Sequence, residues 1–243
     1  MKHRGLIVIF ALLVACGAPS ETTHAGWQDF IKETMKVFGG GDLTESDIAR
    51  GLKEALEIGT ANAVRSVSKV DGYYKNPKIS IPLPENVKKA EGILRAVGFG
   101  AKVDQFRLSM NRAAERAAPE AKSIFWGAIK EITFDDARKI LNGRENEATL
   151  YFEEKTSKRL GEIFKPLVHR SMSEAGVTGS YQVLEQKVHS LPFAGMLKFD
   201  LDQYVTQKSL DGLFFMLAEE EKRIREDPAA RVTDLLKKVF GRK

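Results

Sequence analysis

Few residues in this 243-residue chain combine types and spacing suited to chemistry. Asn111, Arg112 and Glu115 lie together in Met110-Asn111-Arg112-Ala113-Ala114-Glu115-Arg116-Ala117-Ala118. On a helix, Arg112 and Glu115 are three apart and can pair. The four alanines beside them make a small-residue face that admits a neighbouring backbone. Such a cluster either fixes packing or reads a ligand, and packing is the favoured reading. Asp135-Asp136, Glu153-Glu154 and Glu219-Glu220-Glu221 could supply general acid–base pairs if two of them met in a cleft. Helical neighbours diverge by about 100°, so none is a ready-made pair. Asp135 and Asp136 also suit a helix N-terminus, and Glu219 and Glu221 stand four before Arg223 and Arg225, the favourable order for ion pairs. His169 and His189 are twenty apart and lack the spacing of a helical zinc motif. Gly98-Phe99-Gly100 has two nucleotide-loop glycines but no strand–turn–helix around it, so it reads as a turn between helices. No cofactor or metal is implied, and the balance leans away from an enzyme.

The elements that must position these residues are helices. A capping pattern at Thr44-Glu45-Ser46-Asp47 opens a helix in which Ile48, Leu52, Ala55, Leu56 and Ala63 keep one face apolar toward Val70, where Asp71-Gly72 breaks it. Around 78–83, Ile79, Ile81 and Leu83 alternate with Lys78, Ser80 and Pro82, the pattern of an extended segment or edge strand. Pro84 suits the first turn of a helix ending near Gly98. A long helical stretch from Ala101 turns or kinks at Pro119 and resumes through Phe125, Trp126 and Ile129. Thr133 caps a short helix closed by Asn142-Gly143. Further helices are expected over 145–175, bent at Pro166, over 180–189, and from Asp200 or Asp202 to Glu226. The last of these has Leu210, Phe214, Leu217 and Ile224 inside and residues 219–223 outside. With an amphipathic segment at 27–38 and a final helix ending at Phe240, the expectation is all-α: one compact domain of about eight to ten helices and one short extended segment.

The start of the chain has a different character. Lys2 and Arg4 precede eleven uncharged residues, 5–15. A helix of that length spans about 16 Å, against a hydrocarbon core of roughly 30 Å, so the run reads as a signal peptide and not a membrane span. It ends in Leu13-Val14-Ala15-Cys16, which resembles the lipobox of bacterial lipoproteins. There the thiol takes a diacylglycerol as a thioether, and the small residue admits the peptidase. The expected organisation is a signal peptide over 1–15, a lipidated Cys16 with a flexible tether to residue 26, and the helical domain over 27–243. Gly17, where Asp would signal inner-membrane retention, implies the outer membrane. The alternative is a cut after Ala25, leaving a soluble periplasmic protein.

Cys16 is the single cysteine, so the domain beyond it has no disulfide, thiol nucleophile or cysteine-bound metal, and its core alone must hold it together. Loss of residues 1–15 removes Lys2 and Arg4 and lowers the net charge from +5 to +3, too mild to indicate nucleic acid. Lys237, Lys238, Arg242 and Lys243 could touch anionic head groups, but read more simply as cations closing a last helix.

Five stretches carry a family resemblance: Gly51-Leu52-Lys53-Glu54-Ala55-Leu56, Met110 to Glu115, Ala148-Thr149-Leu150-Tyr151-Phe152, Leu210-Asp211-Gly212-Leu213-Phe214, and Glu219 to Arg225. They resemble the uncharacterised bacterial family called domain of unknown function 4197, over roughly residues 40–241. The resemblance implies an exported, mostly helical protein and supplies no activity. Three functions stay open. A non-catalytic envelope lipoprotein that binds or assembles a protein partner requires an exposed apolar patch and no deep pocket, and is favoured. A carrier of lipid or another apolar molecule requires a continuous cavity lined by residues such as Phe125, Phe152, Phe164, Phe214 and Phe215. A carboxylate-dependent hydrolase requires acids converging in a cleft.

Overall fold

The computed structural model of the chain describes residues 45–174, 181–182, 186 and 200–226, and every regular element among them is helical. In order these are α1 (Glu45–Ser68), α2 (Glu85–Ala96), α3 (Gly100–Ala117), a 3-10 turn (Ala118–Glu120), α4 (Ala121–Glu131), α5 (Phe134–Asn142), α6 (Glu147–Glu174) and α7 (Leu201–Glu226). The described residues therefore hold seven α-helices. The helices expected over 27–38 and after Asp227 lie outside them, as does His189. Of the helix expected over 180–189, Tyr181, Gln182 and Gln186 are described, all helical. The described residues group as one compact unit.

Local chemistry explains where these helices start and stop. α1 ends before Asp71, which takes a left-handed φ of 68°. Gly72 follows because a Cβ there would lie 2.6 Å from the Val67 carbonyl oxygen. α2 closes in a Schellman turn: Gly98 has φ 89°, its N–H donates to the Arg95 carbonyl, and the Phe99 N–H donates to the Leu94 carbonyl. The Gly98-Phe99-Gly100 stretch is thus a helix cap. Pro119 occupies the 3-10 turn between α3 and α4. At α5, Thr133 Oγ1 accepts from the Asp136 N–H while Asp136 accepts from the Thr133 N–H, a complete capping box. Asp200 Oδ1 accepts from the Gln203 N–H at 2.8 Å, so Asp200 and not Asp202 caps α7. α6 runs through Pro166 as a single 28-residue helix.

The extended stretch near 78–83 forms no strand. Its alternation is real, with Ile79, Ile81 and Leu83 buried and Lys78 and Pro82 exposed. What it lacks is a neighbouring strand. The side-chain amide of Asn111 takes that place: Oδ1 accepts from the Ile81 N–H at 2.8 Å, and Nδ2 donates to the Ile81 carbonyl at 3.1 Å. One residue thereby satisfies both polar groups of a buried backbone position.

Packing follows from the small and aromatic residues. Ala113, Ala114, Ala117 and Ala118 are fully buried, as the small-residue face required. α6 and α7 lie antiparallel: Thr149 near the start of α6 meets Glu221 near the end of α7, and His169 meets Asp202. Phe125 of α4 makes edge contacts with Phe152 of α6 and Phe214 of α7, at centroid distances of 5.3 and 6.1 Å. Tyr73 is fully buried, and its hydroxyl donates to the Ser209 carbonyl at 2.6 Å. The ring fits because residue 212 is glycine: a Cβ there would lie 2.6 Å from Tyr73 Cε1. Gly212→Ala should therefore destabilise the domain by about 1–3 kcal/mol through overpacking, despite the better helix propensity of alanine. Urea denaturation measures this, and an alanine variant as stable as the parent would show that the ring moves aside freely.

Candidate functional site

Glu115 is 3% exposed and sits on the buried face of α3. Its Oε1 accepts from the backbone N–H groups of Tyr73 and Tyr74, at 3.1 and 3.2 Å. Its Oε2 meets Arg112 at 2.6 Å, and Arg112 reaches on to Asp71 at 2.6 Å. Lys75 and Arg112 hold the Asp71 carboxyl below the usual range, and the paired carboxylates, Glu115 first, raise the Arg112 guanidinium. Asn111, Arg112 and Glu115 thus come together as expected. Their partners outside α3 lie in the segment joining α1 to α2. The cluster fastens that segment.

A second buried network is not legible in the sequence. The pattern of α7 places residues 219–223 outside, yet Glu220 and Glu221 are buried, the latter 8% exposed. Glu221 accepts from the Ala148 and Thr149 N–H groups at 3.0 and 2.9 Å and from the Thr149 hydroxyl. It therefore caps the N-terminus of α6 from another helix. The expected Glu221–Arg225 pair forms at 2.8 Å, and Arg225 also donates to the Ile140 carbonyl near the C-terminus of α5. The expected Glu219–Arg223 pair does not form. Arg223 turns to Glu220, which also accepts from Asn62, and Glu219 pairs with Lys78 at 2.6 Å. A three-residue offset brings Glu220 under Arg223 and leaves Glu219 for the α1–α2 connection. Glu221→Ala should cost on the order of 3–5 kcal/mol, because the first α6 N–H groups lose their acceptor and Arg225 loses its counter-charge. An unchanged denaturation midpoint would refute the capping role.

A groove of 1130 Å³ lies between α6 and α7. Lys158, Gly161, Lys165, Pro166, His169 and Arg170 line the α6 wall. Asp202, Gln203, Thr206, Gln207, Leu210 and Phe214 line the α7 wall. Each set recurs at three- and four-residue steps, so each is one helical face. Two contacts bridge the walls at one end: an ion pair from Lys165 to Asp200 at 2.9 Å and a hydrogen bond between His169 Nδ1 and Asp202 at 2.7 Å. Glu153, Glu162 and Asp211 add acidic groups, so the lining carries both signs. Pro166 cannot donate to the Glu162 carbonyl, which leaves the ladder of α6 one bond short beside the groove.

Thr206 is 2% exposed, and its Oγ1 is buried without a hydrogen-bond partner among the described residues. Other buried hydroxyls on the helices bond back one turn: Thr60 to the Leu56 carbonyl, Thr156 to Phe152, and Ser209 to Val205. A buried hydroxyl left unpaired costs about 1–3 kcal/mol. Thr206 is among the residues that line the groove, but its Oγ1 is closed to solvent. Sequence reasoning missed this, because nothing in the local pattern distinguishes Thr206 from the threonines that bond back.

The remaining candidates separate. Asp136 is spent on its cap, and Glu153 and Glu154 lie exposed on α6. Asp71, Asp104, Asp136, Glu147 and Asp200 all hold their protons less tightly than an ordinary carboxyl, each through a hydrogen bond or an adjacent cation. No described residues form a cluster of three or more metal-ligating side chains, and no described helix is long and apolar enough to cross a membrane. A partly open apolar pocket beside Phe152, Leu217 and Ile224 measures about 20 Å³, room for one water molecule. Phe125, Phe152 and Phe164 are fully buried core, Phe214 is nearly so, and Phe215 is 39% exposed.

Fold and site together define an all-α domain with a charged, open groove between two antiparallel helices. The chain belongs to the family described as a protein of unknown function, DUF4197, which matches residues 42–241. No curated protein matches the sequence, and no solved structure matches the chain.

The lowered carboxyls set the response to acid. Their folded pKa values lie below the unfolded ones, so their stabilisation is complete above the ordinary carboxyl range near pH 4 and is lost as pH falls through the folded values. The melting temperature should hold from pH 7 to about 5 and fall steeply below about 4. Asp71→Asn should flatten part of that fall, as measured by circular dichroism across a pH series.

Proposed function

We propose that the domain is a non-catalytic binding or assembly module of the bacterial cell envelope, held to its membrane by lipid on Cys16 and engaging its partner through the groove between α6 and α7. The observation that carries this reading is the open groove of 1130 Å³, which is lined by charges of both signs where the sequence pointed to an exposed apolar patch and no deep pocket. A hydrolase built on carboxylates needs an acid whose proton is held into the neutral range. The displaced carboxyls here move the other way. A carrier of an apolar molecule needs an enclosed apolar space of several hundred Å³. Among the described residues, the apolar pocket beside Phe152 is far smaller, and Phe125 packs on Phe152 and Phe214.

Anchoring is supported by the pattern ending at Cys16 and by the stretch before it, too short to span a bilayer. An outer-membrane address follows from Gly17, with release after Ala25 as the alternative. Two measurements in cells test this function. A labelled fatty acid should be incorporated into the parent and absent from Cys16→Ala. A photo-crosslinking residue at Gln207 should capture a discrete envelope protein, and one at Val97, on the exposed end of α2, should not. Label retained by Cys16→Ala would overturn the anchor, and equal capture from both positions would overturn the groove.

A further inference from the structure

Resting on the reading that lipid on Cys16 holds the domain at its membrane, we propose that the tip of the α2–α3 hairpin docks on an anionic lipid surface. Ion pairs define the hairpin. Arg95 meets Glu91 at 2.9 Å and Asp104 at 2.5 Å, and Arg107 reaches back to Glu91 at 3.2 Å. α2 and α3 therefore run antiparallel, and the Schellman turn at Gly98 is their tip. Arg116, near the end of α3, meets Ser171, near the end of α6. Ten residues away on each side, Phe106 stacks on Tyr181. α3 thus carries the tip away from the start of α6.

The tip is apolar and uncovered. α2 already has an inward face in Val87, Ala90 and Leu94, all buried. Ile93 and Val97 lie off that face and are 51% and 60% exposed. Gly92, Ala96, Gly98 and Ala101 beside them are also exposed, and none carries a charge. Leu94 and Phe99 pack inward at the same turn, so the tip is braced from beneath. No element among the described residues covers the two aliphatic side chains, and an exposed apolar patch of this kind marks a contact surface.

Charge selects the occupant. The carboxylates beside the tip, Glu91 and Asp104, are both held by Arg95, and Glu85 lies 3.7 Å from Lys88. Lys89, one turn before Ile93, and Lys102, in the first turn of α3, are exposed and make no ion pair among the described residues. An apolar point therefore stands in a basic collar. Two half-exposed aliphatic side chains offer far less than the roughly 800 Å² per partner of a stable protein interface, whose centre is depleted of lysine. A lipid surface suits both features. Aliphatic side chains enter the boundary between head groups and acyl chains, while lysines stretch out to anionic head groups. Each cation near such a surface strengthens partition about fivefold. A lipid anchor keeps the tip at high local concentration, so a contact this small suffices.

Cys16 is the single cysteine, so the full chain carrying Cys16→Ala and Val97→Cys takes a nitrobenzoxadiazole label at the tip alone. A control protein carries the label at Glu154→Cys, exposed near the start of α6. Vesicles are phosphatidylglycerol with phosphatidylcholine, or phosphatidylcholine alone. The apolar run at 5–15 brings the protein to either vesicle, so the local label is the readout and not binding itself. Emission from the tip should move to shorter wavelength and be quenched by brominated acyl chains, at lower lipid concentration with the anionic vesicles. The control label should do neither. Lys89→Glu with Lys102→Glu should raise the lipid needed for half the shift about tenfold or more, at an unchanged melting temperature. Ile93→Ser should reduce the quenching. No shift with either vesicle, a shift indifferent to lipid charge and to the lysines, or a shift already present in buffer overturns the inference, the last because protein then covers the tip. A lipid-dependent shift without fatty-acid label on the parent in cells keeps the tip and rejects the anchor. Label without the shift keeps the anchor and rejects the tip.

Discussion

The ion pair between Glu221 and Arg225 holds three helices at one point. Glu221 faces the positive end of α6, and Arg225 faces a carbonyl near the negative end of α5, so each charge meets the helix end that favours it. The pair itself spans one turn of α7. The short α5–α6 connection, with Arg144 tied to Glu147, returns the chain beside α7 because both of its flanking helix ends are anchored there. A pair buried this deeply stabilises little on its own. Its value is positional: α6 cannot slide along α7 without stranding Glu221, and the antiparallel register that creates the groove depends on that.

The segment between α1 and α2 is held by the same kind of device. It carries buried backbone groups with no strand to receive them. Asn111 supplies the missing partner for Ile81, Glu115 receives Tyr73 and Tyr74, and the Tyr73 hydroxyl reaches the Ser209 carbonyl. Gly212 is the space into which that ring fits. The family stretches around Asn111, Ala148, Gly212 and Glu221 therefore share one purpose: side chains on neighbouring elements satisfy backbone that secondary structure leaves unpaired.

How far the sequence discloses this depends on the range of each interaction. Helix ends are local events, so Asp71-Gly72, Gly98, Thr133 and the start of α7 are readable from a few neighbouring residues. The Arg112–Glu115 and Glu221–Arg225 pairs are readable because both partners lie within about one turn. What those pairs then touch is not. Glu221 looks like a solvated glutamate until α6 is placed against it, and the alternation near Ile81 looks like a strand until its partner proves to be a side-chain amide. Thr206 is the extreme case, since its significance lies in a bond it does not make.

The groove follows from the same register. Glu221 ties the start of α6 to the end of α7, and Lys165 and His169 tie the second half of α6 to Asp200 and Asp202 at the start of α7. Both walls are thus fixed at both ends before any ligand arrives. Between the ties, the residues facing inward include those whose side chains leave space or remain polar: Gly161, Pro166, Thr206 and Gln207. A site built from two clamped helices loses little conformational entropy on binding, so modest polar contacts there can give useful affinity. The unpaired hydroxyl and the open glycine weaken the isolated fold slightly, and the clamped register of α6 and α7 carries that cost.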